Sequence, residues 1–183
     1  MATCGWCDDC TMARLTGQRV VIRSLRLDDL EPVVMGRTKL AEQGSLTDHP
    51  DYEHLRAQLP HWSDLRDGRV NPGVEVDGRL VGEIQTFQPV DRPAGPGAAV
   101  CEVGLSLYDA VDRGRGLGAE AMQLFVDWLF GQGVEQVQGS TAPTNQPMRG
   151  VFERVGFTRE YEGRSTEPKV VRYRLRRPEE QSM

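Results

Sequence analysis

At 183 residues, 38% of them hydrophobic and 27% charged, the chain is long enough for one domain with a substantial core and has the composition of a soluble globular protein. A net charge of -5 argues against a nucleic-acid partner, whose binders carry a basic face, and no apolar run approaches the length that spans a bilayer. The N-terminus lacks the basic and apolar regions of a secretory signal, so a cytoplasmic location is expected.

Cys4, Cys7 and Cys10 form a C-x-x-C-x-x-C run at the start of the chain. Thiolates this close suit zinc or another soft metal. A fourth local ligand is absent, and neither a finger-like His nor the further Cys of an iron–sulfur run follows. Residues 1–14 therefore read as a tail without a metal, with a metal- or redox-regulated role as the alternative. Cys101, alone in a later strand, reads as a small buried hydrophobe.

Residues 19–25 are rich in β-branched side chains and form the first predicted strand. Asp28 is placed to cap the following helix, which tolerates Pro32 in its first turn and runs toward Leu40, weakened at Gly36. Residues 44–72 are poorly patterned, with short helical stretches at 51–59 and 62–66 separated by Pro60. His49, His54 and His61 fall there; their spacing does not make a helical metal face, so they read as surface residues, with a substrate rim as the alternative. Trp62 reads as core. Asp77-Gly78 is a strong hairpin signal between strands 73–77 and 79–88, and the Pro- and Gly-rich residues 89–97 form a loop.

The strand at 100–107 places Glu102, Gly104 and Ser106 on one face and Cys101, Val103, Leu105 and Leu107 on the other. Its internal glycine marks a bulge or a close approach. A helix starting at Gly116 carries Leu117, Ala121, Leu124, Phe125, Trp128 and Leu129 on its buried stripe, with Glu120, Gln123 and Asp127 opposite. A strand at 134–141, a helix carrying Met148, Val151, Phe152 and Val155, and a hairpin of strands near 159–163 and 170–175 complete one domain. That domain spans residues 15–177, with a short tail at 178–183.

Between the strand and the long helix lies Asp112-Arg113-Gly114-Arg115-Gly116-Leu117-Gly118. Glycines between a strand end and a helix start leave backbone N–H groups unpaired at the positive end of the helix dipole, which makes an anion site, most often for phosphate. Arg113 and Arg115 add guanidinium groups suited to phosphate. Gly114-x-Gly116-x-x-Ala119 also fits a dinucleotide fingerprint. That reading requires a parallel β-α-β start and an acid near residues 137–140, and this sequence offers antiparallel hairpins and no acid. No Gly-Lys-Ser/Thr follows, so a Walker A loop is excluded.

The chain resembles the GNAT superfamily of N-acetyltransferases, and within it the RimJ/RimL-type branch. The resemblance rests on Arg113-Gly114-Arg115-Gly116-Leu117-Gly118 against the family's Arg/Gln-x-x-Gly-x-Gly/Ala loop. It rests also on Gly17-Gln18-Arg19-Val20 through Arg23 with Asp28-Asp29-Leu30, on Glu102-Val103-Gly104, and on Asn145 through Arg149 to Gly156-Phe157, all in order. The resemblance implies an α+β fold: a mixed, mostly antiparallel sheet, split into a V by a bulge in the 100–107 strand and flanked by helices. It implies acetyl-CoA as acyl donor, its pantetheine paired with backbone near Val103, Leu105 and Leu107 and its pyrophosphate on Arg113, Gly114, Arg115, Gly116, Leu117 and Gly118. On this reading Asn145 hydrogen-bonds the pantetheine arm or a nearby water, and Arg149 is a further cofactor contact, with a surface helix arginine in an ion pair as the alternative.

Such enzymes transfer acetyl directly to a neutral amine, so a base must take a proton and something must protonate the leaving thiolate. Glu102 is the first candidate base and Glu83 the second, each with a structural or substrate-holding role as the alternative. Relatives place Tyr at Phe152 and Ser at Met148; neither residue here can donate a proton. Ser140, Thr141 or Thr144 could substitute, or solvent could protonate the thiolate. The expected acceptor is a protein N-terminus, an antibiotic or another small amine, with neither nucleic acid nor membrane as partner and homodimerisation left open. The alternative is a non-catalytic acyl-CoA-binding or sensing protein of the same fold.

Overall fold

A computed structural model describes residues 12, 14–46, 49–62, 70–87, 99–162 and 170–178. The described strands, β1 (Leu15–Thr16), β2 (Val21–Arg23), β3 (Gly73–Val76), β4 (Arg79–Phe87), β5 (Val100–Leu107), β6 (Gln136–Thr141), β7 (Thr158–Glu162) and β8 (Val171–Arg176), form one sheet in the order β1-β2-β3-β4-β5-β6-β8-β7. Every neighbouring pair is antiparallel except β5 and β6. The helices are α1 (Leu30–Glu42), α2 (Tyr52–Gln58), α3 (Leu117–Gly131) and α4 (Gln146–Val155). This is the expected α+β architecture.

The β3–β4 hairpin turns at Asp77 and Gly78, both at positive φ (51° and 77°), as its Asp-Gly sequence requires. β5 keeps the expected alternation: Cys101 and Val103 are buried, while Leu105 and Leu107 meet α3 near Gly118. Together α3 and α4 cover one sheet face with a core that includes Ile22, Ile84, Met122, Phe125, Leu129, Phe152 and Tyr173. On the other face, α1 and α2 enclose a smaller core of Leu25, Leu30, Val33, Leu55, Leu59 and Trp62.

Several local expectations change in three dimensions. The first helix is not capped by Asp28; instead the Asp29 carboxylate accepts the Arg26 N–H (2.8 Å) and both terminal nitrogens of Arg23 (2.7 and 2.8 Å). The helix passes through Gly36 unbroken, and a side chain there would run into the ring of Tyr108. The buried stripe of α3 is rotated: Met122 and Val126 are fully buried, whereas Leu124 and Trp128 lie at its edge. Pro60 sits in a short 3-10 turn, Leu59–His61, directly after α2. Met12, within the stretch expected to be a tail, is buried in the main core, and Arg14 pairs with Glu75 at 3.2 Å. Cys4, Cys7 and Cys10, and the whole of the 89–97 loop, lie outside the described residues.

The V arises without an inserted residue. The β4–β5 ladder runs in unbroken register from Gly82↔Leu107 to Phe87↔Glu102, so the expected bulge is not what splits the sheet. The split comes from the inner pair: β5 and β6 are joined only at Val100↔Gln136, Cys101↔Val137 and Glu102↔Gln138. β6 continues against β8 as far as Thr141↔Val171, so both arms of the V keep an outer partner.

Behind the β6 arm, the ring of Phe152 lies directly against the Cα of Gly139 and stacks on Tyr173 (centroids 4.9 Å apart). Gly139→Ala would place a methyl group inside that ring. It should cost about 1–3 kcal/mol through overpacking, read as a lowered denaturant midpoint, and Phe152→Leu in the same chain should recover part of the loss.

Candidate active site

The open V leads into a cleft of about 510 Å³ lined by Leu105, Ser106 and Leu107 of β5, by Arg113, Gly114, Gly116 and Gly118, and by Asn145, Val151 and Arg154 around α4. Leu40 and Ser45 close the side nearest α1. Arg113 and Arg154 are the charged residues among those lining it, and no carboxylate is among them.

The glycine loop is built for bare backbone donors. Gly114 and Gly116 have φ of 73° and 82°, a region that strains any residue with a Cβ, and Gly116 immediately precedes α3. The first helical hydrogen bond is Glu120 N–H to the Gly116 carbonyl. Among the described residues, none of the N–H groups from Gly114 to Ala119 donates to a protein acceptor. A row of unpaired donors at a helix start, at the edge of a solvent-open cleft, is suited to a phosphate group.

Two carboxylates hold this loop. Asp112 is fully buried and accepts two hydrogen bonds from Arg79 (2.8 and 3.0 Å), with Arg115 at 3.5 Å. Glu120, one turn into α3, accepts the backbone N–H groups of Arg19 (2.7 Å) and Val20 (3.1 Å) and the Arg19 side chain (3.1 Å). Arg19 in turn donates to the Arg115 carbonyl at 2.8 Å, tying the segment between β1 and β2 to the loop. Burial pushes the Glu120 carboxyl upward, but the hydrogen bonds from Arg19 and Val20 outweigh it and hold the group below its ordinary value of 4.5.

The sequence-predicted residues fall into distinct places. Leu105, Leu107, Arg113, Gly114, Gly116, Gly118 and Asn145 line the cleft. Asn145 uses its side-chain oxygen to accept the Met148 N–H at 3.2 Å, so it caps α4 and leaves its amide NH2 group for a ligand. Val103 is buried in the core, and Leu117 is buried behind the loop while its N–H remains unpaired. Arg113 donates to the Leu107 carbonyl and to Gln43, both at 3.0 Å. Arg115 points to Asp112, outside the cleft. Arg149 is not among the lining residues; its guanidinium donates to the Pro143 carbonyl (3.1 Å) and the Tyr173 hydroxyl (3.3 Å).

Glu102 stands at the apex of the V, in the last β5–β6 pair, half-buried and with no partner for its carboxylate among the described residues. Glu83 is otherwise committed. It is 6% exposed and receives Arg37 in a two-point pair (2.9 and 2.6 Å), Asn71 (3.0 Å) and the Tyr108 hydroxyl (2.6 Å). Burial, with the Glu83 charge, pushes the Tyr108 hydroxyl well above its ordinary range. With four donors on its two oxygens, Glu83 is a structural anchor between α1 and the sheet, not a free base. Ser140 is exposed on β6 and does not line the cleft, and the side chain of Thr141 is buried on the opposite face. His49, His54 and His61 are exposed and contribute nothing to the cleft lining.

Sequence reading missed Ser106 and Arg154 as lining residues. Ser106 shares its face with Glu102 and Gly104, so alternation held the signal. Pro147, Gly150, Val151 and Arg154 line the cleft at i, i+3, i+4 and i+7 of α4, a stripe that also excludes Arg149.

The fold and this site are those of an acetyltransferase. The family model for an acetyltransferase (GNAT) domain matches residues 19–158. Among solved structures, an acetyltransferase (GNAT family) from Bacillus anthracis superposes with a TM-score of 0.73 at 20% identity, covering 90% of this chain and 98% of its own. RimL, a ribosomal L7/L12 α-N-protein acetyltransferase in complex with coenzyme A, gives 0.74 at 14% identity with coverage of 90% and 98%. The aminoglycoside acetyltransferase AAC(6')-Ib in complex with coenzyme A gives 0.71 at 20% identity with coverage of 86% and 95%. No curated protein matches the sequence significantly. The chain belongs to the GNAT acetyltransferase family.

Two outcomes test this account of the carboxylates. Glu83→Gln leaves the half-buried Arg37 without its counter-charge and should cost about 3 kcal/mol of stability, seen in denaturant unfolding, with little effect on cleft binding. Glu120 contributes stability that is fully present at neutral pH and is lost as pH falls through its lowered value. Glu120→Gln should therefore flatten the decline in stability below about pH 5, measured as unfolding midpoint against pH.

Proposed function

We propose that the chain is an acetyl-CoA-dependent N-acetyltransferase that acts on a primary amine. The observation that carries this reading is the continuity of two donor sets. The free inner edge of β5 beyond Glu102 leads along the cleft directly to the unpaired N–H groups of residues 114–119. An extended pantetheine amide chain suits the first, as an added strand would, and a pyrophosphate suits the second. The coenzyme A present in RimL and in AAC(6')-Ib supports the same donor.

Acetyl-CoA supplies an activated acyl group as a thioester. On transfer, the new amide C–N bond forms as the C–S bond breaks; the amine loses a proton and the sulfur leaves as a thiolate. Glu102 is the carboxylate at the V apex that remains free to accept the amine proton, directly or through water. Unpaired β5 N–H groups facing the V would hold the carbonyl oxygen as charge develops on it. Phe152 is 1% exposed and packed against Gly139, so it supplies no proton to the leaving sulfur; Ser140 is exposed away from the lining, and solvent is the proton source on this reading. The acceptor enters from the side of Leu40, Ser45 and Ser106. It is a small-molecule or peptide amine, as kanamycin is for AAC(6')-Ib in its complex and as the protein substrate named for RimL suggests. A RimJ/RimL-type assignment favours the peptide. The catalytic domain comprises residues 15–177 extended back to Met12.

Calorimetric titration with acetyl-CoA and coenzyme A, followed by turnover assays on a panel of amines and N-terminal peptides, tests the proposal. Binding in the micromolar range is expected, and absence of binding at millimolar ligand sinks it. Gly116→Val forces a β-branched residue into positive φ and should weaken binding at least tenfold. Glu102→Gln should lower kcat and remove the base limb from the pH–rate profile while leaving coenzyme A affinity unchanged. Saturable binding with no turnover on any amine would instead favour a non-catalytic acyl-CoA sensor.

A further inference from the structure

We propose that the sheet face carrying Glu102 continues across β6 onto β8 as a docking surface for the acceptor, and that the acceptor it fits is an acidic peptide N-terminus. The proposal rests on the N-acetyltransferase reading above. The amine stands at Glu102, and the acidic side chains that follow it lie on Arg172, Arg174 and Arg176.

Strand pairing brings these residues to one face. Cys101 pairs with Val137, Val137 with Leu175 and Gly139 with Tyr173, all on the face packed by α3 and α4. Alternation turns the residues between them to the other face. Glu102, Gln138 and Arg174 therefore form one row across β5, β6 and β8. The pairs Gln136↔Arg176 and Ser140↔Arg172 flank that row. At a strand spacing of about 4.8 Å, Arg174 springs from the sheet about 10 Å from Glu102, with Arg172 and Arg176 about 7 Å to either side. The core under α1 and α2 contains no residue of β6, β7 or β8, so those helices do not cover this arm. Arg172 and Arg176 are exposed, and neither side chain makes an ion pair or a hydrogen bond among the described residues. Arg174 is half-buried and pairs with Glu160 at 2.7 Å.

The charge pattern selects the occupant. Arginines at alternate positions of one strand repel one another, and Glu160 answers only the middle one. The chain as a whole carries -5, so this row is a local excess of positive charge. Guanidinium forks match planar carboxylates in two-point contacts, which suits aspartate and glutamate side chains. An extended chain advances about 3.3 Å per residue. With its amine at Glu102, its third and fourth residues reach the arginines. Ser106 shares the Glu102 face and lines the cleft, so the surface is continuous with the entry proposed for the acceptor. A polycationic amine is repelled by the same row. A nucleic acid needs a longer basic track, and Glu102 and Glu160 interrupt this one.

The experiment measures acetylation of two matched peptides, one with Asp and Glu at its third and fourth positions and one with Asn and Gln there. Each is assayed with the wild-type chain and with the double variant Arg172→Gln, Arg176→Gln. Both arginines are exposed without described partners, so the double variant should keep the wild-type Tm and coenzyme A affinity. The wild type should show a KM about tenfold lower for the acidic peptide, an advantage that about 0.5 M salt removes. The double variant should lose that advantage with kcat unchanged. Fluorescence anisotropy of the same peptides, labelled at the C-terminus and added to the coenzyme A complex, gives the comparison without turnover. Equal KM and affinity for the two peptides, or an advantage retained by the variant, would overturn the docking surface and leave the N-acetyltransferase reading standing. Preferential binding of a single-stranded RNA oligonucleotide over the acidic peptide would overturn it in favour of a nucleic-acid surface. Failure of the wild type to bind coenzyme A would bring down the acetyl-CoA reading and this proposal with it.

Discussion

Three residue pairs hold β5 to β6, and the site depends on the pairing stopping there. Because β5 keeps its ladder with β4 from Glu102 to Leu107 and β6 keeps one with β8 along its length, the two arms diverge without either losing its place in the sheet. Only the inner edges lose partners. Backbone groups on those edges must be satisfied by water or by a ligand, so the cleft is polar in the direction of the chain while its side chains remain largely apolar. The helices complete the arrangement: α3 begins at the glycine loop beside one arm, and α4, capped by Asn145, presents Gly150, Val151 and Arg154 from the other.

Charge is sorted around that opening. The chain carries a net -5, yet the lining of its cleft includes two arginines and no carboxylate. The nearby acids are consumed in holding elements together: Asp112 by Arg79, Glu120 by Arg19, and Glu83 by Arg37, Asn71 and Tyr108. Each pairing has a mechanical consequence. Asp112 fixes the loop entry, Glu120 ties α3 to the β1–β2 segment, and Glu83 joins α1 to β4. Among the described residues, the Glu102 carboxylate at the apex has no partner, and the charged side chains that line the cleft, Arg113 and Arg154, are cationic.

The local chemistry of the sequence was a good guide where one element determined the outcome. Asp77-Gly78 specified its turn, alternation along β5 separated the α3-facing residues from the opposite face, and the glycine spacing at 114–118 announced a row of unpaired backbone N–H groups. It was a poor guide where a residue's partner lay far along the chain. Glu120 read as a solvent-facing helix residue, but its partner is a hundred positions away. Glu83 read as a candidate base, but Arg37 and Tyr108 occupy it from another element. Gly36 read as a weakness in a helix, whereas the ring of Tyr108 requires it.

By itself, then, the sequence determined the element order, the glycine turn before α3 and the family to which the chain belongs, because periodicity, turn chemistry and motif spacing act over a few residues. The tertiary structure decided which charges are free. A carboxylate is a base or an anchor according to the donors that reach it. An arginine lines the cleft or braces the fold according to which helical face meets the opening. Arg149 and Arg154 show the point: five residues apart on α4, they lie on different faces, one held by Tyr173 and Pro143 and the other open to the cleft.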